Sequence, residues 1–282
     1  MKKKLEHTLT LILVMMILPC ALTFLLNGKM EEIYRSIQDE AAYISVKTSR
    51  GIQEMNLEEY IIGITATQIP LDYELEAVKA QMVIARTNLY RQMQDNEVWE
   101  GDYLSLTELE LQGAAEKFIK AQKATKGQVL LYEDKLIMAS FHALSGGKTR
   151  DGNETFLTEG YEYLQSKSCP ADKKAQEYQS VIQIADSWKN LEIVKRDSAG
   201  YIQQLQLGDT LMSGEEFRNL LGLPSANFEI AVKEGKVYLT TCGIGHGLGL
   251  SQYTAQQLAL VGKDYREILT YFYDGTEIQV YK

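Results

Sequence analysis

The chain is organised around a glycine-rich stretch that reads Gly243-Ile244-Gly245-His246-Gly247-Leu248-Gly249-Leu250-Ser251-Gln252-Tyr253. It holds four of the 21 glycines and one of the three histidines. Because glycine lacks a Cβ, the backbone can turn sharply here and approach a ligand closely. Two interpretations fit: a tight structural turn, or a binding site that uses His246, Gln252 and Tyr253. A glycine-rich run alone does not decide between them.

Hydrophobic periodicity predicts regular elements on both sides of this stretch. They are a hairpin of 228–232 and 237–241, a helix at 213–222, helices near 255–262 and 265–273, and strands at 178–184, 200–207 and 276–281. The second strand of the hairpin leads directly into the glycines.

Residues 74–93 carry the longest helical pattern in the chain. Its apolar residues fall at steps of three and four: Leu75, Val78, Met82, Ala85, Leu89 and Met93. Such spacing predicts a helix with one buried face. The preceding helix, 57–64, ends before a proline, and Asp72 is the predicted N-cap of the long helix. Another helix is predicted over 107–125, with Thr107 as its N-cap.

Two basic residues, Lys79 and Arg86, lie on or beside this apolar stripe. In one interpretation their aliphatic stems pack at the edge of the stripe while the charges reach solvent. In the other, Arg86 pairs with an internal carboxylate or lines a cleft. The spacing favours neither.

The remaining pattern shows no regular alternation of strands and helices. Hairpins are predicted at 44–55 and 128–142, and residues 150–180 are rich in loops. This mixture predicts an α+β fold, in which helices and antiparallel hairpins over residues 44–282 form a cleft.

The N-terminus has the composition of a membrane anchor. Residues 9–26 form an apolar run near the lower length limit for a transmembrane helix. The three lysines in residues 1–8 predict a cytoplasmic N-terminus, and no small-residue cleavage site follows the run. Residues 27–43 are the predicted juxtamembrane stalk. We therefore expect a single-pass membrane protein with its large domain outside, and a cleaved signal peptide is the alternative.

The net charge argues against nucleic acid as a partner. The formal charge is −9, with +3 in residues 1–30 and therefore −12 in residues 31–282. An acidic outer domain has no field that attracts a polyanion.

The sequence leaves the state of the cysteines open. Cys20 lies in the apolar run, so only Cys169 and Cys242 belong to the outer domain. They are candidates for one disulfide, for zinc ligands together with His142 or His246, or for free thiols. No Cys-x-x-Cys spacing supports the metal, and no other cofactor is expected.

Several short motifs follow one another in a fixed order over about residues 45–282. They read Leu57-Glu58-Glu59-Tyr60, Leu75-Glu76-Ala77-Val78-Lys79-Ala80-Gln81, Ala85-Arg86-Thr87, Phe141-His142, Ser145-Gly146-Gly147-x-Thr149, Ser213-Gly214-Glu215-Glu216-Phe217-Arg218, Leu221-Gly222-Leu223, Gly245 to Tyr253 of the opening stretch, and Tyr265-Arg266-Glu267-Ile268-Leu269. Together they resemble the stage II sporulation protein D family, which also includes amidase enhancers.

The resemblance implies a lytic transglycosylase that acts on peptidoglycan glycan strands stripped of their stem peptides. It also implies a partner amidase and membrane sporulation proteins at the septum, in the intermembrane space, during engulfment of the forespore. Such chemistry needs a carboxylic acid to protonate the glycosidic oxygen while the muramic 6-hydroxyl attacks the anomeric carbon.

The sequence departs from the family at this acid. The family's general-acid Glu precedes a Met-Pro or Ile-Pro, and here that position is Gln68 in Thr67-Gln68-Ile69-Pro70. An amide can hydrogen-bond a sugar but cannot donate a proton as a neutral acid does. Asp72, Glu74 and Glu76 are the acids nearest in sequence.

Three hypotheses follow: a transglycosylase with an altered or relocated acid, a glycan-binding module that enhances a partner amidase, and a scaffold in which the motifs only stabilise the fold. The candidate substrate-binding residues are Arg86, Lys79, His142, Ser145, His246, Gln252 and Tyr253. Some metal-binding members of the family carry a Cys in the segment that reads His142-Ala143-Leu144-Ser145 here, and Leu144 is no metal ligand.

Overall fold

The computed structural model describes residues 42–48, 51–94, 98–185, 188 and 190–281. Its helices, numbered along the chain, are α1 (Leu57–Gln68), α2 (Leu75–Met93), α3 (Leu106–Leu111), α4 (Ala115–Thr125), α5 (Gly152–Phe156), α6 (Gly214–Leu221), α7 (Gln252–Leu260) and α8 (Tyr265–Phe272). Its strands are β1 (Tyr43–Thr48), β2 (Gly51–Asn56), β3 (Val98–Glu100), β4 (Gln128–Tyr132), β5 (Lys135–Leu136), β6 (Phe141–His142), β7 (Gln179–Ile184), β8 (Leu191–Arg196), β9 (Ile202–Leu207), β10 (Thr210–Met212), β11 (Phe228–Lys233), β12 (Lys236–Cys242), β13 (Leu250–Ser251) and β14 (Glu277–Val280).

The strands form several small sheets. Their orders are β2-β1-β3, β14-β4-β5, β11-β12-β7, β10-β9-β8 and β6-β13. Neighbouring strands are antiparallel except in the pairs β1–β3 and β6–β13, which are parallel. This arrangement confirms the predicted α+β class with antiparallel hairpins.

Helix α2 is the centre of the structure. The predicted stripe is present, and Val78, Met82 and Leu89 pack in a core shared with α1, α4 and β1. A second side of α2, with Val83 and Ile84, packs in another core with β4, α7 and α8. The prediction of one buried face was therefore too narrow, because a helix covered on two sides loses its polar face.

A third core lies under the sheet β11-β12-β7. Leu239 of β12 and Phe228 of β11 pack there against Phe217 of α6. Side chains of β12 alternate between buried and half-buried, so one face of this sheet covers the core and the other faces outward. The hairpin that leads into the glycine-rich stretch is thereby fixed to a packed layer.

Two predicted helix starts are wrong. Helix α2 follows Glu74 rather than Asp72, and Glu74 makes no side-chain capping bond. The predicted helix over 107–125 is two helices, because Gly113 at φ 69° ends α3 before α4 begins. The cap of α3 is Ser105 in a capping box, two residues before Thr107.

Two other predictions also need correction. The second strand of the hairpin predicted at 128–142 is split into the two-residue strands β5 and β6. The loop-rich region 150–180 contains α5, capped by the side chain of Asp151, and a 3-10 turn at Asp172–Lys174.

The predicted membrane anchor at 9–26, and the stalk up to residue 41, lie outside the described residues. Within the part of the chain that the structure describes, no helix has the length and apolarity needed to cross a membrane.

Candidate functional site

A cavity of about 580 Å³ lies between the C-terminal end of α1, one side of α2, β3 and the glycine-rich stretch. We call it the cleft. It brings together two residues that are far apart in sequence, Gln68 and His246. The other side chains that give it chemical character are Asn88, Arg91, Trp99, Glu100 and Phe141.

The four glycines of the opening stretch shape one wall of the cleft. Gly243, Gly245, Gly247 and Gly249 have φ angles of 82°, 108°, 81° and 66°, which side chains rarely adopt. A Cβ at these positions would collide, in this order, with Leu144 O, the His142 side chain, the Tyr201 ring and Ser140 O. The glycines therefore serve a tight turn and close backbone packing, and His246 is the residue of this turn that reaches the cleft.

Backbone hydrogen bonds hold this turn against the segment that follows β6. Ile244 N donates to Leu144 O at 2.7 Å, and Leu144 N donates back to Ile244 O at 3.0 Å. Tyr253 N donates to Ala143 O at 3.1 Å. The two histidine-bearing motifs of the sequence thus form one unit.

His142 and His246 lie side by side, with ring centroids 5.8 Å apart. Nδ1 of His142 lies 3.0 Å from Leu248 O, which can only accept, so this nitrogen carries the proton and Nε2 is a buried acceptor without a partner. Nδ1 of His246 accepts from Leu248 N at 3.0 Å. Both rings are therefore held by the same residue, Leu248.

Burial controls the ionisation of both rings. Desolvation, and then the neighbouring His246, lower the pKa of His142 to about 3, against the opposing bond to Leu248 O. Desolvation also lowers the pKa of His246, and the nearby Glu215 opposes this. Neither ring is placed to act as a cation near neutral pH.

A cluster of charged side chains contacts the backbone of the glycine turn at His246. Arg150 Nε donates to Asp197 at 2.6 Å, and Arg150 Nη1 donates to Glu215 at 3.0 Å and to His246 O at 3.3 Å. Arg218 donates to the other oxygen of Glu215 at 3.1 Å. The bond from Arg150 to His246 O fixes the backbone at His246.

Three glutamines join α1, α2 and α7 at the end of the cleft. Gln81 Nε2 donates to Gln68 Oε1 at 3.0 Å. Gln252 Nε2 donates to Gln68 O at 2.6 Å and to Gln81 Oε1 at 3.1 Å. The predicted ligand residue Gln252 is thus buried and acts on the position of Gln68.

The buried carboxylate of Asp172 fixes the start of α7. It accepts from Ser145 N at 2.7 Å, Ser251 Oγ at 2.8 Å and Thr254 Oγ1 at 2.6 Å. Ser251 is the N-cap of α7. Asp172 therefore sets the position from which Gln252 reaches Gln68.

Arg86 does not line the cleft; it is an internal ion-pair residue. Its side chain is fully buried, and Nε and Nη2 donate to the two oxygens of Glu58 at 3.0 and 2.8 Å. Nη1 donates to Thr125 O and Gln128 O. Pairing with an internal carboxylate is confirmed, and the guanidinium has no face left for a substrate.

Three other predicted ligand residues also point elsewhere. Lys79 pairs with Glu76 at 2.5 Å and lies over the ring of Tyr265. Ser145 is fully buried, with Oγ accepting from Gly147 N. Tyr253 is half-buried and is not among the described residues that line the cleft.

The thiols of Cys169 and Cys242 are free. Cys169 is buried, and desolvation and the neighbouring Asp172 raise its pKa to about 12. Cys242 is half-buried at the end of β12. Of the three candidates for these cysteines, the structure shows free thiols rather than the disulfide. Among the described residues, no group of three or more His, Cys, Asp or Glu side chains is arranged to hold a metal ion.

Sequence reasoning missed most of the cleft lining. Trp99, Glu100 and Arg91 belong to no motif that we singled out. Trp99 is one of only two tryptophans, and it stands in a short polar segment, which is the signal that could have marked it.

Comparisons with known proteins agree with the resemblance. Residues 45–132 match the family model described as Stage II sporulation protein. The chain is 32% identical, over 82% of its length, to 76% of stage II sporulation protein D of Bacillus subtilis (strain 168), and 30% identical over the same shares to that of Bacillus amyloliquefaciens. This chain belongs to the stage II sporulation protein D family.

The chain is also similar to a more distant relative. The chain is 24% identical, over 78% of its length, to 40% of the amidase enhancer of Bacillus subtilis (strain 168). In this stage II sporulation protein D family member, the position of the expected general acid is Gln68, which lies at the cleft.

Proposed function

We propose that this chain is a cell-wall protein of sporulation whose cleft binds peptidoglycan glycan strands without cutting them. The family name and its relatives support the role in sporulation. The observation that carries the proposal is the cleft itself, where Gln68 replaces an acid among aromatic and polar side chains.

The cleft suits a sugar polymer. Trp99 and Phe141 supply flat apolar surface, on which the carbon face of a sugar ring packs. Gln68, Arg91 and His246 supply polar atoms at its edges. Concave sites with apolar walls and a few placed polar groups are typical of small-molecule and oligosaccharide binding.

The absence of a suitable acid supports binding rather than cleavage. Glu100 is the one carboxylate among the described residues lining the cleft, and its side chain is 71% exposed and paired with Lys47 at 3.1 Å. A general acid needs a carboxyl kept neutral by an apolar environment. Of the acids near Gln68 in sequence, Glu76 is paired with Lys79 and accepts from Tyr265 N.

The second candidate is a lytic transglycosylase, as the family resemblance implies. The relative named amidase enhancer favours the first candidate, in which the bound strand is presented to a partner amidase. Both candidates place residues 44–282 outside the cell membrane, held by the anchor at 9–26.

Co-sedimentation of the protein with peptide-free glycan strands tests the proposal. We expect the wild type to pellet with glycan and Trp99→Ala to remain in solution, because the main stacking surface is lost. Trp188→Ala is the matched control, since Trp188 packs against Phe217 in the third core. Thermal unfolding must show that both variants fold. Equal pelleting by the wild type and Trp99→Ala would argue against the cleft as the binding surface.

A further inference from the structure

The orientation of the Gln68 amide follows from its neighbours. A backbone carbonyl oxygen can only accept, so the Gln252 side-chain atom at 2.6 Å from Gln68 O must be the amide nitrogen. The same nitrogen lies 3.1 Å from Gln81, whose facing atom must then be its oxygen. The order of atoms in both amides is fixed by these two contacts.

The chain of contacts reaches Gln68 in one more step. The remaining atom of the Gln81 amide is its nitrogen, and it lies 3.0 Å from the Gln68 side chain. It must meet an acceptor, so Gln68 turns Oε1 toward Gln81. Gln81 is fully buried and Gln252 is 4% exposed, so water does not compete for these bonds. The Nε2 amide group of Gln68 is left for the cleft.

We infer that Gln81 and Gln252 are positioning residues that lock Gln68 as a hydrogen-bond donor in the cleft, where it binds an acceptor oxygen of the glycan strand. This inference rests on the proposed function and adds the direction of the hydrogen bond, in which Gln68 donates and the glycan accepts. The acceptor is a glycosidic, hydroxyl or acetamido carbonyl oxygen of an N-acetylated sugar.

The locked amide reproduces one state of a carboxylic acid. A neutral acid at position 68 would accept from Gln81 with one oxygen and donate to the cleft with its O–H. An ionised acid would present an acceptor there instead. Gln68 keeps the donor at every pH and has no proton to release. The residue thus holds the strand as a protonated acid would, with no general-acid step.

The test is the affinity for tetra-N-acetylchitotetraose of the wild type and of Gln68→Glu, measured by calorimetry from pH 4 to pH 8. At pH 7 the new carboxylate faces an acceptor oxygen, and we expect affinity about tenfold weaker than wild type. As the pH falls toward the ordinary glutamate pKa of about 4.3, the acid becomes a donor and the two affinities converge. Mass spectrometry of the sugar after each titration checks that neither protein has cut it during the measurement.

The other ionisable side chains that line the cleft are present in both proteins. Arg91, Glu100 and His246 line the same cleft, so their effects on binding appear in the wild-type curve as well. The difference between the curves therefore reports position 68. Gln183→Glu adds the same charge at an exposed position on β7 and should follow the wild type.

A second variant tests the lock itself. Gln81→Leu removes the donor to Gln68 Oε1, so the Gln68 amide can rotate, and we expect binding weakened several-fold at all pH values. Gln256→Leu is the control, because Gln256 contacts Glu74 N at the surface. If the wild type and Gln68→Glu bind the sugar with equal affinity at pH 7, and the two affinities do not diverge as the pH rises, the inference is wrong and the proposed function is unaffected. No binding by the wild type overturns both.

Discussion

Replacing Arg86 with methionine tests whether this arginine stabilises the fold or binds the ligand. The bidentate pair with Glu58 has a fully buried guanidinium and a carboxylate whose side chain is 14% exposed. The substitution leaves Glu58 with only Gln122 Nε2 at 3.0 Å, and it removes the donor to Thr125 O and Gln128 O.

The magnitude follows from this geometry. Removing one partner of a buried ion pair destabilises by about 3–5 kcal/mol, because the other charge stays buried without compensation. For a domain of this size, each kcal/mol lowers Tm by roughly 2–4 °C, so a fall of roughly 6–20 °C is expected. Glycan binding measured well below Tm should be unchanged.

Urea unfolding followed by circular dichroism measures the loss of stability, and co-sedimentation measures binding. Lys120→Met is the matched control, since its pair with Glu116 is exposed on both sides and its loss should change stability little. If Arg86→Met lost less than about 1 kcal/mol of stability yet no longer bound glycan, the assignment of Arg86 to the fold would be wrong.

Three further predictions concern histidine, glycine and cysteine. The pKa of His142 is lowered from 6.5 to about 3, so between these pH values the unfolded chain binds more protons than the folded one. The free energy of unfolding should therefore be unchanged above pH 6.5 and fall by up to about 1.4 kcal/mol per pH unit below it. His142→Gln should flatten this pH dependence, as measured by urea titrations. Gly249→Ala should prevent stable folding, because its Cβ would overlap a backbone carbonyl oxygen, whereas Gly262→Ala, at φ 89° with open space around it, should lose only about 1 kcal/mol in the same assay. Iodoacetamide without reductant should label Cys242 in the native protein and Cys169 only after denaturation, and mass spectrometry showing no labelling of either thiol in denaturant would indicate a disulfide instead.

Local sequence patterns predicted many of the helices and strands. The steps of three and four in α2 predict a helix because side chains three and four apart share a face. They do not reveal Val83 and Ile84 as a second buried side, because that depends on which elements cover the helix. The break at Gly113 was missed because a single glycine inside a helical pattern is compatible with either outcome.

The site was less accessible to sequence reasoning. His246 stood out because the glycines around it mark a special backbone, and Gln68 was found through the family resemblance. Asp172 gave no signal, since a lone carboxylate accepts these three hydrogen bonds only when the fold brings Ser145 and the start of α7 to it. The burial of Ser145 was not foreseen for the related reason that a polar motif looks the same whether it faces solvent or a buried carboxylate.

The contact between Gln68, Gln81 and Gln252 gives the family motifs a shared physical role. The first lies at the end of α1, the second on α2 and the third at the start of α7, so residue 68 is held by two other motifs of the chain. The side chain at position 68 is thereby placed with one polar group toward the cleft. Whether that group can give up a proton decides between holding a strand and cutting it.

The central claim is that the cleft holds glycan strands without cutting them. The most direct test is to incubate peptide-free glycan strands with the wild type and with Gln68→Glu and to measure anhydro-ended fragments by mass spectrometry. We expect the wild type to bind the strands and to release nothing above a blank. At a pH near the ordinary glutamate pKa of about 4.3, where the carboxyl carries its proton, Gln68→Glu restores an acid in a prepared position and should release fragments, since a general acid contributes on the order of 10²–10⁴ in rate. Release of anhydro-ended fragments by the wild type at a rate equal to that of Gln68→Glu would contradict the proposal.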